Sequence, residues 1–260
     1  MLECVINVSE GRNHAIIDSL AQSCAGDLLD IHSDPDHNRS VFTVVGVDAP
    51  RALAQAAFSA LSLSDHSGVH PRIGVVDVVP FVPLVDSTMH DARIARDEFA
   101  AWANEEFDVP SFLYGAERTL PDIRKTAWTS LMPDVGLHVP HLTAGAMCVG
   151  VREPLVAYNL WLENVDLETT RRIASSVRTT SMRTLGLQVG AFTQVSVNLI
   201  QPMIAGPNDV YDAVSQHAKV HHAELVGLLP ASVLAVVPRA RWEDLDLSVE
   251  KTIEWRLTNR

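Results

Sequence analysis

Strand-length apolar runs and helix-length amphipathic runs follow one another in the same order twice along this chain, and that repetition constrains its fold more than any other feature. The first pass begins with residues 3 to 8, Glu3-Cys4-Val5-Ile6-Asn7-Val8, which read as a strand broken at Ser9-Glu10-Gly11. A helix capped by Asn13 follows, with Ile16, Ile17, Leu20 and Cys24 on one face, and Gly26 ends it. Residues 27 to 31 and 40 to 47 read as strands two and three, joined by a turn through Asp34, Pro35 and Asp36. A second helix, capped by Asp48 with Pro50 in its first turn, carries Leu53, Ala57 and Leu61 four apart. A polar loop from His66 to Arg72 leads into the apolar run 75 to 83, a buried strand. The order is β-α-β-β-α-β.

The pattern then changes before it repeats. The spacing of Ile94, Ala95, Phe99, Trp102 and Ala103 predicts a helix over residues 90 to 107, ahead of a short strand at 110 to 114 and a short helix at 120 to 128. Residues 133 to 145 carry neither period, and an aperiodic stretch of that length is more often a binding loop than a spacer. From residue 155 the alternation restarts: a strand to 162, a helix capped by Asp166 through Ile173 and Val177, and paired strands at 187 to 192 and 194 to 200. A helix opened by Pro207, bearing Val210, Val214 and Ala218, and a strand at 223 to 228 complete the unit, with a helix at 229 to 237 and an arm or helix at 246 to 257 beyond it. The expected fold is α+β: two similar split-βαβ, ferredoxin-like subdomains, residues 1 to 152 and 153 to 260, with a ligand cleft between them.

Composition narrows the function. The chain has 260 residues and a formal charge of −12, which argues against nucleic acid or an anionic membrane as partner. Lys125, Lys219 and Lys251 are its only lysines, so an anionic substrate has to be met by arginines and backbone N–H groups. No apolar window approaches a membrane span, and Met1-Leu2-Glu3-Cys4 does not open a secretion signal. Cys4, Cys24 and Cys148 are widely spaced with no C-x-x-C pair, which suits a reducing cytoplasm and argues against structural zinc.

The polar loops hold the chemistry. In His66-Ser67-Gly68-Val69-His70-Pro71-Arg72, Pro71 holds His70 extended, and an imidazole that titrates near neutrality can carry a proton between two nitrogens. Arg72 and Arg39 are candidates for binding carboxylates by two parallel hydrogen bonds. The loop His32-Ser33-Asp34-Pro35-Asp36-His37-Asn38-Arg39 is dense in metal-ligand types, so a metal-dependent hydrolase using His32, Asp34, His37 and His66 or His70 is an alternative. Against it, no H-E-x-x-H spacing occurs, and Asp-Pro-Asp is an ordinary turn in which Arg39 pairs with a neighbouring carboxylate.

Together these residues resemble the formiminotransferase domain of the formiminotransferase-cyclodeaminase family. Ile6-Asn7-Val8-Ser9-Glu10-Gly11 resembles its opening Pro-Asn-Phe-Ser-Glu-Gly, and Asn38-Arg39-Ser40-Val41 resembles its Asn-Arg-Thr/Ser-Val segment. The signature His-x-Gly-x-His-Pro-Arg-x-Gly…Asp…Pro-Phe-x-Pro is met by His66, Gly68, His70, Pro71, Arg72, Gly74, Asp77, Pro80, Phe81 and Pro83. Leu113-Tyr114-Gly115, Arg118-Thr119-Leu120-Pro121, Pro133-Asp134-x-Gly136, Ala157-Tyr158-Asn159-Leu160 and Val195-Ser196-x-Asn198-Leu199 follow in the family's order.

The resemblance implies transfer of a formimino group from N-formimino-L-glutamate to N5 of tetrahydrofolate, with His70 as the catalytic base and then acid and no metal. It implies folate binding by Gly136, Leu137, His138, Val139, Pro140, His141, Leu142, Thr143, Ala144 and Gly145. Substrate contacts are expected from Arg72, Arg39, Asn7, Ser9 and His32, with Asp34 or Asp77 favouring the cationic amidine. A cytoplasmic homodimer without the cyclodeaminase domain, active in histidine degradation and one-carbon metabolism, is the corresponding expectation; a folate-binding relative without turnover is the remaining alternative.

Overall fold

Cys4, Ile6 and Val8 are fully buried at alternate positions of the first strand, β1 (Leu2–Val8), and this period of two decides which face of its sheet the helices cover. The computed structural model describes residues 1–69 and 71–260, which divide into two units, Met1–Glu153 and Pro154–Arg260.

In the first unit β1 is followed by α1 (His14–Ser23), β2 (Leu28–Asp34), β3 (Arg39–Val45), α2 (Asp48–Ala60), β4 (Val76–Pro83), α3 (Met89–Phe107), β5 (Ser111–Tyr114), α4 (Leu120–Thr126) and β6 (Met147–Val151). The sheet order is β2-β3-β1-β4-β6-β5. Its first four strands pair antiparallel, and β6 and β5 extend the sheet parallel to β4. Cys4, Ile6, Val8, Phe42, Val44, Val79 and Phe81 face Ile17 and Leu20 of α1, Leu53 and Ala57 of α2, and Phe99 and Ala103 of α3 in one core. Each large side chain buried there contributes roughly 1.5 to 3 kcal/mol. On the other face, Val78, Phe112, Tyr114 and Cys148 pack with Ile123 of α4.

The second unit contains β7 (Val156–Leu162), α5 (Leu167–Ser176), β8 (Met182–Val189), β9 (Phe192–Leu199), α6 (Pro207–Ser215), β10 (Val220–Val226), α7 (Ala231–Val236) and α8 (Ile253–Thr258). Its antiparallel sheet runs β10-β7-β9-β8. Counted from the start of each unit, the four strands of the repeat lie in the order 4-1-3-2 in both. The α+β fold of two ferredoxin-like units is therefore the one the alternation predicts.

Several local expectations need correction. Strand β6, which the sequence reading leaves unassigned, makes the first sheet six-stranded. Strand β2 runs on to Asp34, β8 starts at Met182 and turns at Gly190, and β10 starts at Val220. Asp48 lies inside α2; Val47 is the N-cap and makes no side-chain capping bond. Helix α1 stops at Ser23, and Gly26 belongs to a following 3-10 turn. Ile94 is 44% exposed, because the buried stripe of α3 runs through Ala92, Ala95, Arg96, Phe99 and Ala103. The C-terminal arm resolves into a 3-10 turn at Val249–Lys251 and α8.

Candidate active site

The end of β1, the β2–β3 turn and the starts of β4 and β6 lie at the same end of the first sheet, because β1 is antiparallel to β3 and β4 and β6 is parallel to β4. Four polar segments meet there. Ser9 ties the first to the start of β4: its N–H donates to the Val75 carbonyl at 2.7 Å and its hydroxyl to the Gly74 carbonyl at 2.8 Å. Gly11 lies against the second. A Cβ at Gly11 would strike the Asp34 carbonyl and the Arg39 backbone, and the Gly11 N–H donates to Asn38 Oδ1 at 2.9 Å. The Ser40 hydroxyl closes the same junction on the Glu10 carbonyl at 2.6 Å.

Asn38 joins the turn to the third segment. Its backbone is left-handed at φ 47°, a conformation asparagine tolerates better than most residues. Its Nδ2 donates to the Ser67 carbonyl at 3.0 Å and lies 3.3 Å from His66 Nδ1. Arg72 reaches back, donating from Nη1 to the Asn38 carbonyl at 3.1 Å and from Nη2 to the His37 carbonyl at 2.8 Å. Burial, then the neighbouring Arg39, Arg124 and Arg12 charges, lower the Arg72 pKa against the opposing pull of Asp77. His66 is likewise shifted down, by burial and then by the Arg72 charge.

The fourth segment is the aperiodic stretch. Gly145, left-handed at φ 74°, bridges Gly74, where a side chain would meet the Ala146 carbonyl. Val75 N–H donates to the Ala144 carbonyl and Ala146 N–H to the Ile73 carbonyl, both at 2.9 Å, and Leu63 N–H reaches the Thr143 carbonyl at 2.7 Å. His141 Nδ1 accepts the Ala144 N–H at 3.0 Å and so turns the loop. Upstream, Asp134 is held by both terminal nitrogens of Arg118, at 2.6 and 3.0 Å, and by the Leu113 N–H at 2.7 Å. Between these anchors Gly136, His138 and Pro140 are exposed, as are Leu137 (61%), Val139 (58%) and Leu142 (92%).

The remaining expected residues divide by position. His70 lies outside the described residues. Asn7 on β1 and His32 on β2 both register with Val41 of β3, so they flank it on the sheet face turned away from the core of Cys4, Ile6 and Val8. Arg39 pairs in register with Asp34 at the mouth of the turn. Asp34 Oδ1 accepts the N–H groups of Asp36 and His37, both at 2.8 Å, so its carboxylate builds the turn. Asp77 is buried in a bulge of β4, paired with Arg124 and accepting the Ile73 N–H at 2.8 Å. Among the described residues no three His, Cys, Asp or Glu side chains converge as a metal site would need. Asn38 enters the sequence reading only as part of the Asn-Arg-Ser-Val segment, with no site role assigned to it, and nothing local marks Arg124.

This arrangement ties the Arg72 guanidinium, the His66 imidazole and the end of the aperiodic stretch to one end of the sheet through hydrogen bonds. Comparison with known proteins shows which chains share such a sequence. The family described as the formiminotransferase domain, N-terminal subdomain, matches residues 1–152. Over 97% of both chains, the protein is 32% identical to glutamate formimidoyltransferase of Streptococcus pyogenes serotype M1. It is 33% identical to glutamate formimidoyltransferase of Thermoplasma acidophilum, over 92% of this chain and 91% of that one. Its similarity to the formimidoyltransferase-cyclodeaminase of Sus scrofa, 32% identical over 90% of this chain, spans only 51% of the longer protein. A family match over residues 1–152, with identity of this extent over nine-tenths or more of the chain, makes the protein a member of the formiminotransferase family.

Proposed function

We propose that the chain is a glutamate formimidoyltransferase that moves the formimino group of N-formimino-L-glutamate to N5 of tetrahydrofolate. The observation that carries this reading is the junction of the Ile73–Val75 and Ala144–Ala146 backbones, which joins the segment following His70 to the aperiodic loop. A proton-transfer residue and a folate-binding stretch have to be neighbours for this reaction. Exposed Leu137, Val139 and Leu142 offer apolar cover for a pteridine ring.

The chemistry follows from the bonds exchanged. N5 attacks the amidine carbon, giving a tetrahedral carbon that bears three nitrogens; the bond to the glutamate nitrogen then breaks. N5 loses one proton and the departing glutamate amine gains one, so a single imidazole can serve as base and then acid, and His70 is assigned that role. No oxyanion develops, so an ester-type oxyanion hole is not required. Arg72 and Arg39 supply positive charge for the substrate carboxylates. Asn7, Ser9 and His32 shape the floor, while Asp34 and Asp77 supply negative charge that favours the protonated amidine. The same reading makes tetrahydrofolate a co-substrate and the chain a cytoplasmic homodimer working in histidine degradation; among the described residues no helix is long and apolar enough to cross a membrane.

The test is to mix the protein with formiminoglutamate and tetrahydrofolate, with and without a chelator. Formation of 5-formiminotetrahydrofolate, indifferent to chelator and abolished in His70→Ala, is the expected result. Loss on chelation would favour a metal-dependent hydrolase, and folate binding without turnover a non-catalytic relative.

A further inference from the structure

We propose that Asn38 is a positioning residue for His70: its side-chain amide holds the chain before position 70, and its carbonyl holds Arg72 after it. The role of His70 rests on the formimidoyl-transfer reading above; the hold on the loop does not.

Asn38 is buried in the β2–β3 turn, with its backbone left-handed at φ 47°. Its Oδ1 accepts the Gly11 N–H at 2.9 Å, which fixes the oxygen end of the amide and leaves both Nδ2 protons to donate. One goes to the Ser67 carbonyl at 3.0 Å, and the other faces His66 Nδ1 at 3.3 Å. The His66 ring also hydrogen-bonds the Ser9 backbone, so this one amide joins the end of β1, the turn and the start of the loop. Aspartate tolerates the same backbone without a donor, and glycine without either bond.

The far side of position 70 returns to the same two residues. Arg72 donates from Nη1 to the Asn38 carbonyl at 3.1 Å and from Nη2 to the His37 carbonyl at 2.8 Å. Gly68 lies against them too, where a Cβ would strike the His37 carbonyl and Arg72 Nη2. Just beyond, the Ile73 N–H is fixed on Asp77 at 2.8 Å. Residues 67, 68 and 72 thus all rest on His37 and Asn38, and the stretch from 69 to 71 is pinned at both ends. Pro71 further narrows the backbone of the residue before it. A reacting group misplaced by about 1 Å can lose a hundredfold in rate, so the anchor of its loop acts on kcat.

The experiment compares transfer kinetics and amide hydrogen exchange of the full chain with those of Asn38→Gly, which keeps the left-handed turn, and Asn38→Asp, which keeps the acceptor for Gly11. Expected is a kcat lower by about tenfold to a hundredfold in both variants, with both KM values of Asn38→Gly within about twofold of wild type. Exchange over residues 66 to 72 should quicken by about fivefold or more in Asn38→Gly, the second unit staying unchanged. In a His70→Ala background Asn38→Gly should change the residual rate by less than about twofold, because residues that act through one group are not additive. A loss of folded protein would instead lower that residual rate by the same factor. Wild-type kcat or wild-type exchange in Asn38→Gly, or an equal loss in the His70→Ala background, would overturn the inference. A wild type without formimino transfer would remove the reaction proposed above, and exchange alone would then decide whether Asn38 holds the loop. Should neither variant fold, the wild-type side-chain amide decides: Asn38 Nδ2 protons that exchange slowly support the hold, and protons as fast as those of an exposed asparagine sink it.

Discussion

Asp77 and Arg124 form a two-pronged ion pair that joins a bulge in β4 to α4. Asn7 pairs with Val78 and Val8 with Val76, so Asp77 is the extra residue of the bulge, and its carboxylate also takes the Ile73 N–H. The pair thus fixes the backbone immediately after Arg72. Replacing Arg124 with Met leaves a buried carboxylate unpaired and is expected to cost about 3 to 5 kcal/mol in urea unfolding. Arg124→Lys, which keeps the charge but not the fork, should fall between it and the wild type. A wild-type unfolding curve for Arg124→Met would show that the pair does not hold this segment.

Gly74 makes the closest backbone approach in the site. A methyl group there would collide with the Ala146 carbonyl, and the Ala146 N–H is bonded to the Ile73 carbonyl in the Gly74–Gly145 bridge, so neither side can move without breaking the ladder. Gly74→Ala is expected to lose at least tenfold in kcat and about 1 to 3 kcal/mol in stability, the usual range for overpacking. Transfer assays together with denaturant melts check both.

The aperiodic loop is tethered at its upstream end by Arg118 and Asp134, whose side chains are about a quarter exposed. Its contribution to stability should therefore be at most about 1 kcal/mol. Arg118→Ala is expected to raise the KM for tetrahydrofolate while leaving kcat and the melting curve nearly unchanged. A rise confined to the formiminoglutamate KM would speak against folate binding by residues 136 to 145.

Acid should destabilise the first unit through His66. Its pKa is lowered from 6.5 in the folded chain, so below that value the unfolded chain binds the proton more readily than the folded one. Stability is full above about 6.5, declines as pH falls from there through the lowered folded value, and then levels off. Urea midpoints measured from pH 7.5 downward should fall less in His66→Gln than in the wild type.

The loops were legible because Gly, Pro, Asn and His concentrate where the chain must turn. Caps that use local side chains were legible too: Asn13, Asp166 and Pro207 open their helices as expected. Features set by distant residues were not. Gly150 makes β6 look unlike a strand, yet it is there because the Tyr114 ring lies over it and leaves no room for a side chain. Helix α3 turns Arg96 inward in place of Ile94, because Arg96 is neutralised by Asp97 and by Glu117, twenty-one positions along the chain. Nothing near Asp77 in sequence announces its pairing with Arg124, forty-seven positions along the chain.

The most direct test follows formimino transfer from formiminoglutamate to tetrahydrofolate by wild type and His70→Ala under matched chelation. The account predicts 5-formiminotetrahydrofolate and free glutamate in equal amounts from the wild type, unaffected by chelator, with the variant folded and at least a hundredfold slower. Wild-type turnover that persists in the folded variant, or that releases glutamate without modifying tetrahydrofolate, would contradict it.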